Sequence, residues 1–182
     1  MQPIRASLSQ GVAMVACASA ALAWAPASAA DSPAAGKDRH DTTSAVVLTV
    51  SGRIAQHNAP QQYRWSMAML EALPQHSFST LTPWAQQPLQ FSGPLLRDVL
   101  QTVGAQGQQL VARALNDYSV QIPVQDALAY DMVVATRMNG QPMSVRQRGP
   151  LFVVYPFDSK TELKSPTYIE RSIWQLRAIE VQ

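Results

Sequence analysis

The sequence predicts an α+β fold: a single domain in which a mixed β-sheet is combined with a few short helices. Several short runs rich in β-branched residues end at turn-forming residues, as strands do. The run 151–155 (LFVVY) is apolar throughout, which is typical of a central strand that is buried on both faces. Helical spacing of apolar residues occurs at Leu95, Leu96, Val99, Leu100 and Val103.

The first half of the domain is predicted to alternate strands and short helices. In chain order we expect a strand over 45–50, a helix over 67–73, a strand over 77–82, a loop over 83–93 and a helix from Pro94 to Val103. Ser66 is a favourable N-cap for the first helix, and Pro74 ends it. Pro94 suits the first turn of the second helix, and Gly104 suits the position just after its end.

The second half is predicted to contain a β-hairpin and further strands. We expect hairpin strands over 109–115 and 118–123, a helix over 124–130 and strands over 132–138, 151–155 and 173–181. Asn116 and Asp117 form the polar turn of the hairpin, and Asn139-Gly140 is a pair that tolerates positive φ.

The N-terminus has the features of an export signal. Residues 11–25 form a short apolar core, and the small residues at 27–29 fit a cleavage site, which predicts a signal peptide over 1–30. An uncleaved anchor is the alternative, but the apolar run is shorter than the roughly 20 residues of a membrane span. We therefore expect a flexible leader over 31–43, the folded domain over 44–182, a periplasmic location and no membrane insertion of the mature chain.

Charge and motifs exclude several function classes. The 182 residues include 14 Lys and Arg and 12 Asp and Glu, so the net charge of +2 is too small and too dispersed for a nucleic-acid binder. The three histidines show no metal-ligand spacing, and no hydrolase elbow or phosphate-binding glycine loop is present. The single cysteine, Cys17, lies in the predicted signal peptide, so no disulfide and no thiolate ligand is expected after cleavage.

A basic loop over 137–150 is the most specific polar feature. Arg137, Arg146 and Arg148 lie within a dozen residues beside a predicted central strand, where guanidinium groups can bind an anion in bidentate fashion. A solvated loop with its charges directed into water is the alternative.

Five segments resemble, in order, motifs of the sulfite-oxidase-type molybdopterin-binding domain. Gly93, Leu96, Asp98 and Leu100 match its GxxLxDxL motif. The others are 114–123 (its A-x-D-x-Y…P hairpin), 128–140 (its strand before Asn-Gly), 149–156 (its Gly-Pro strand) and 173–181 (its closing strand with Trp). The resemblance covers nearly the whole mature chain from about Val46.

This resemblance implies that fold, an oxidoreductase ancestry and molybdopterin as the candidate cofactor. In active members a cysteine thiolate ligates molybdenum, whereas the corresponding stretch here, 80–84, reads Thr-Leu-Thr-Pro-Trp. A threonine hydroxyl is a poor substitute because it is hard to deprotonate. The arginine that usually follows Gly-Pro-x in the family is Phe152 here.

We therefore expect a protein of this fold that binds a ligand without molybdenum redox catalysis. The pocket is expected between the loop 82–84, the turn 116–118 and the loop 137–149. Its candidate ligand-binding residues are Thr82, Trp84, Asn116, Asp117, Tyr118, Arg137, Asn139, Arg146 and Arg148. Trp84 and Tyr118 would pack on a planar ligand and the arginines would pair with its anionic group.

The expected partner is a small anion, such as a pterin, or the periplasmic part of a membrane protein. No catalytic residue and no metal ligand is assigned, and whether the protein is an enzyme stays open. Two alternatives remain. One is a molybdenum-cofactor oxidoreductase of the sulfite-oxidase type with an unusual metal ligand set, and the other is a structural or interaction subunit whose pocket is filled by side chains.

Overall fold

The computed structural model describes residues 45–182. The predicted signal peptide and leader, with Cys17 and His40, lie outside the described residues, and their boundaries remain predictions.

Twelve strands and four short α-helices form the described part of the chain. The strands are β1 Val46–Gly52, β2 Gln62–Ser66, β3 Gln75–Thr80, β4 Leu89–Pro94, β5 Gln109–Ala114, β6 Ser119–Pro123, β7 Val133–Ala135, β8 Arg137–Met138, β9 Gln141–Pro142, β10 Phe152–Val154, β11 Ile173–Trp174 and β12 Leu176–Val181. The helices are α1 Met67–Ala72, α2 Leu96–Thr102, α3 Val124–Ala129 and α4 Pro166–Arg171, and two short 3-10 helices are Val145–Gln147 and Thr161–Lys164.

The strands form three sheets. A five-stranded sheet has the order β2-β1-β12-β5-β6, a three-stranded sheet has the order β11-β10-β7, and a four-stranded sheet has the order β3-β4-β8-β9. The pair β1–β12 is parallel and its neighbours β2 and β5 pair antiparallel, so the main sheet is mixed. The predicted α+β class is confirmed.

Hydrophobic patterning explains these elements. In β1, Leu48 and Val50 are fully buried while Val47, Thr49 and Ser51 are partly exposed, the alternation of a strand with one face on the core. All three residues of β10 are buried and β10 is the middle strand of its sheet, as its continuous apolar run predicts. The N-cap of α1 is also as predicted, because Ser66 Oγ accepts a hydrogen bond from the Met69 amide at 3.2 Å.

Three strands were not predicted, namely β2, β4 and the two-residue β9. The prediction of a loop over 83–93 is wrong, because β4 begins within this stretch and pairs with β3 over six consecutive residues. Pro94 consequently ends β4, and α2 begins at Leu96 rather than at Pro94. The strand β2 is visible in the sequence in retrospect, since buried Tyr63 and Trp65 alternate with more exposed neighbours.

Two predicted strands are each divided between sheets. The run 132–138 breaks after Ala135, where β7 joins the three-stranded sheet and β8 the four-stranded one. The run 173–181 breaks at Gln175, which adopts a positive φ of 53°. Each break is set by which sheet the two halves of the run join, and this is a tertiary property that the local sequence does not show.

Gln175 joins three segments at one end of the main sheet. Its amide donates to the Arg148 carbonyl at 2.9 Å, and its carbonyl accepts from the Leu115 amide at 2.9 Å. Its side-chain amide donates to the Val145 carbonyl at 2.8 Å. These bonds bring the basic loop and the β5–β6 turn beside Trp174.

No helix within residues 45–182 has both the length and the apolar character needed to cross a bilayer.

Candidate functional site

An aromatic cluster around Phe152 forms the base of the candidate site. The Phe152 ring is fully buried and packs edge-to-face on Phe91 and Trp84, both at 5.6 Å, and on Trp174 at 6.2 Å. Trp84 also packs on Trp174 at 5.8 Å. The loop after β3 is thereby held against the strands β10 and β11, in the geometry that aromatic pairs prefer.

A cavity of about 350 Å³ opens beside this cluster, and we call it the aromatic pocket. Its aromatic walls are Trp84, Tyr118 and Trp174, while Asn116 and Glu170 supply polar groups. Tyr118 and Trp174 are exposed at its mouth. A volume of this size, with apolar walls and a few polar groups, is typical of a small-molecule site.

Arg148 lies against two walls of the aromatic pocket. Its guanidinium carbon is 5.6 Å from the Trp84 ring centre and 5.9 Å from that of Trp174. Both distances are within the range of a cation–π interaction, and the two contacts hold the guanidinium in place. Within residues 45–182, no carboxylate forms an ion pair with Arg148. Its N–H groups therefore remain available to a ligand.

A second cavity, of about 220 Å³, adjoins the first and shares Ile169 as a wall. Thr82, Asp158 and Lys164 are among the residues that line it. The Asp158 carboxylate accepts hydrogen bonds from the Leu81 amide at 2.6 Å and from Thr80 Oγ1 at 3.2 Å, and pairs with Lys164 at 2.9 Å. The hydrogen bond from Lys164, followed by that from the Leu81 amide, lowers the pKa of Asp158.

Thr82 lines this second cavity, but its hydroxyl is buried. The residue is 3% exposed, and Oγ1 has no hydrogen-bond partner among the described residues. Thr80, two residues earlier and equally buried, instead both donates to Asp158 Oδ2 and accepts from the Asp158 amide at 3.1 Å. An unsatisfied buried hydroxyl is destabilising, and in this conformation it is not open to a ligand.

The segment that forms the shared wall is anchored by a partly buried ion pair. Arg171 donates to Asp126 Oδ2 at 2.8 Å, and the Tyr155 hydroxyl donates to the same oxygen at 2.7 Å. Burial, together with this hydrogen bond, raises the pKa of Tyr155. Tyr168 meets the Tyr130 hydroxyl at 3.0 Å. These contacts fix α4, whose Ile169 and Glu170 line the aromatic pocket.

The structure brings some of the predicted site residues together and separates others. Trp84, Asn116 and Tyr118 line one pocket, with Arg148 against it. The others lie elsewhere: Asp117 pairs with Arg177, Arg137 pairs with Glu71 at 2.8 Å, Asn139 accepts from the Gln90 amide at 3.0 Å, and Arg146 is exposed. Of the loop 137–149, Arg148 alone is placed by these contacts against the aromatic walls.

Sequence reasoning missed five residues of the pocket, namely Ile169, Glu170, Ser172, Ile173 and Trp174. Trp174 was assigned only to a strand face, and Ile169 and Glu170 lie in α4, which was not predicted. A signal existed for α4, because Pro166 after Ser165 is a good helix start. Nothing in the sequence indicates that α4 reaches the pocket.

The comparisons with known proteins agree with the geometry of the fold. The profile of the family described as "Oxidoreductase molybdopterin binding domain" matches residues 40–159. Among solved structures, the fold is similar to that of the sulfane dehydrogenase SoxCD from Paracoccus pantotrophus, with a TM-score of 0.57 and 15% identity. That likeness covers 74% of this chain and 37% of that chain, and it shows the fold alone. No curated protein matches the sequence.

The residues present do not fit a molybdenum ion held in the manner that the resemblance implies. Residues 45–182 contain no cysteine, and both hydroxyls of the corresponding stretch are buried, that of Thr80 bonded to Asp158 and that of Thr82 without a partner. Within the same residues, no group of three or more His, Cys, Asp or Glu side chains converges as a metal site. The aromatic walls do fit a planar organic ring, since indoles stack on such rings.

Replacing Thr82 by the isosteric valine is expected to leave stability unchanged or to raise it by up to about 1 kcal/mol, because it removes an unsatisfied buried hydroxyl. The matched variant Thr80→Val is expected to lower stability by about 1–2 kcal/mol, because it leaves the Asp158 amide without its acceptor. Urea denaturation measures both. Equal destabilisation by the two variants would mean that Thr82 has a partner and would contradict this description.

The Asp158 carboxyl is expected to titrate below its usual value of about 3.9. The pKa of Asp158 is lower in the folded chain than in the unfolded chain. Its ionised carboxylate therefore stabilises the fold fully at pH values above the unfolded-state pKa, and this stabilisation is lost as the pH falls through the folded-state pKa. Carbon-detected NMR titration measures this pKa. Lys164→Met should raise the pKa of Asp158. A wild-type pKa at or above the usual value would contradict the ion pair and hydrogen bonds described for this carboxylate.

Proposed function

Because the chain belongs to the oxidoreductase molybdopterin-binding domain family, we propose that it uses this fold as a binding module. The aromatic pocket binds a small planar anion, and the protein performs no molybdenum redox chemistry. A pterin that carries a carboxylate or phosphate is the ligand class with the best match to the walls.

The observation that carries this proposal is the position of Arg148. Its guanidinium lies at cation–π distance from Trp84 and Trp174, two rings that line the pocket, and forms no ion pair among residues 45–182. A planar guanidinium binds a carboxylate or phosphate in bidentate fashion, and preorganisation by the two rings reduces the entropy lost on binding. Arg171, by contrast, has a carboxylate partner in Asp126.

The remaining polar groups support a heterocycle rather than a simple inorganic anion. Asn116 offers an amide with both donor and acceptor atoms, and Glu170 offers a carboxylate. A carboxylate in the pocket favours a ligand that also presents N–H donors, such as the amino-substituted edge of a pterin. Tyr118 and Trp174 at the mouth supply flat surfaces for the ring.

Two alternatives are less well supported. A molybdenum oxidoreductase needs a donor able to hold the metal, and Thr82 offers only a buried neutral hydroxyl. An interaction subunit with a filled pocket is disfavoured because a cavity of about 350 Å³ is open beside the aromatic cluster.

The predicted signal peptide is the basis for proposing a periplasmic location. In that compartment the ligand is either a free small anion or an anionic group presented by the outer part of a membrane protein.

Arg148→Met is expected to weaken binding of pterin-6-carboxylate by about 10–100-fold, because hydrogen bonds to a charged group contribute about 1.5–3 kcal/mol. Methionine retains much of the packing on the indoles. Quenching of tryptophan fluorescence reports the binding, since Trp84 and Trp174 line the pocket.

Arg53→Met is the matched control for this variant. Arg53 is exposed at the opposite end of the main sheet, next to Val181. Its replacement by methionine should leave the affinity for the pterin unchanged. The proposal is contradicted if pterin-6-carboxylate, neopterin phosphate and folate all fail to bind at millimolar concentration, or if Arg148→Met binds them as tightly as the wild type.

A further inference from the structure

The stretch 80–84, where the family resemblance implies a metal-ligating cysteine, is tied to Asp158 just before Thr82. The Asp158 carboxylate accepts hydrogen bonds from the Leu81 amide at 2.6 Å and from Thr80 Oγ1 at 3.2 Å. The Asp158 amide in turn donates to Thr80 Oγ1 at 3.1 Å. We call these three hydrogen bonds the Asp158 tether. They fix a backbone group of one residue and the side chain of the other.

The same stretch is held by aromatic packing just after Thr82. The Trp84 ring packs edge-to-face on Phe157 with the ring centres 6.0 Å apart, and Phe157 directly precedes Asp158 in the chain. The Ala85 amide also donates to the Thr82 carbonyl at 3.2 Å. Thr82 therefore lies between two contacts with one short segment, and it can move outward only if at least one of them breaks.

This arrangement shields the side chain of Thr82 from the second cavity that it lines. Thr82 is 3% exposed, whereas its neighbour Leu81, which lines the same cavity, is 46% exposed. Threonine fills two of the three staggered γ positions on its Cβ. Because the whole residue is buried, a sulfur atom in either of these two positions would be shielded as well.

From these contacts we propose that the Asp158 tether holds position 82 in a conformation that excludes a metal ion, whichever side chain stands there. The missing cysteine is then one of two obstacles, and restoring it alone would not create a metal site. Burial also disfavours ionisation of a thiol, and the thiolate is the form that binds a metal. The proposal concerns the second cavity, so its outcome is separate from that of ligand binding in the aromatic pocket.

The ion pair of Asp158 with Lys164 is separable from the tether. Lys164 Nζ lies 2.9 Å from Oδ1, whereas the bonds from Leu81 and Thr80 go to Oδ2. The Lys164 side chain is also 57% exposed, and exposed ion pairs contribute little to stability. Loss of this pair should therefore leave the loop closed.

The test measures the reactivity of a single introduced thiol in the full chain. Cys17, the one cysteine of the sequence, is replaced by serine throughout. Thr82→Cys and Leu81→Cys are each made in this background and treated with Ellman's reagent under native conditions. We expect Thr82→Cys to react at least about 100-fold more slowly than Leu81→Cys, because a buried thiol reacts only when the structure opens locally.

The second step removes the tether. Adding Asp158→Ala to Thr82→Cys should raise the rate by about tenfold or more, because hydrogen bonds to a charged group are lost and local opening becomes easier. Asp158→Asn, which keeps an acceptor without the charge, should give an intermediate rate. Phenylmercury(II), a soft metal centre that one thiolate can hold, should show the same order of rates.

Two matched controls separate the tether from other effects on Thr82→Cys. Lys164→Met removes the ion pair but leaves the tether, and should change the rate by less than about threefold. Ile122→Val lowers the stability of the main sheet without touching the loop, and should leave the rate unchanged because the opening is local.

Either of two results would overturn the proposal. The first is that Thr82→Cys reacts with Ellman's reagent or phenylmercury(II) as fast as Leu81→Cys while the tether is intact. The second is that Asp158→Ala and Asp158→Asn leave the rate of Thr82→Cys unchanged, or raise it no more than Ile122→Val does. Neither result depends on whether a pterin binds.

Discussion

The packing around Phe152 is the contact on which the candidate site depends. Its ring meets Phe91 of β4, Trp84 of the loop after β3 and Trp174 of β11, and so joins all these elements at one buried point. Truncating a buried phenylalanine of this kind removes several contacts at once and leaves a cavity, at a typical cost of about 3–5 kcal/mol. The two indoles that support Arg148 are positioned by this cluster, so the charge at the pocket is set by apolar packing.

The same cluster explains why the chemistry of the site differs from what the family resemblance implies. An arginine at the position of Phe152 would bring a buried charge into the aromatic cluster, whereas here the cation, Arg148, lies outside it over the indole faces. At the stretch where a thiolate is expected, Thr82 supplies a buried hydroxyl without a partner. Aromatic walls with one cation held over them are the features on which the proposed recognition of a planar anion rests.

Local signals in the sequence were sufficient for the central strand, the cap at Ser66 and the β5–β6 hairpin. Each of these depends on a few neighbouring residues whose periodicity or hydrogen bonding is decisive. The strand β4 was missed because two prolines near Trp84 outweighed its short alternation. The breaks at Thr136 and Gln175 depend on which sheet the strand on either side of each break pairs with, and this is set by tertiary structure.

The site was predicted in outline for the same reason. Aromatic and arginine residues near turns predict an anion pocket, which stays a prediction; the structure places Trp84 and Tyr118 on one cavity, with Arg148 against the Trp84 ring. The sequence could not distinguish Arg148 from Arg137, because the ion pair of Arg137 with Glu71 joins residues far apart in the chain. Trp174 and α4 reach the pocket only through the fold.

The most direct measurement is metal analysis combined with native mass spectrometry of the protein purified from the cells that naturally produce it. We predict that the protein contains no stoichiometric molybdenum. Its bound mass is that of a planar anion, and this mass is absent from the Arg148→Met variant. Stoichiometric molybdenum together with a dithiolene pterin would contradict it, and would require a metal ligand other than cysteine.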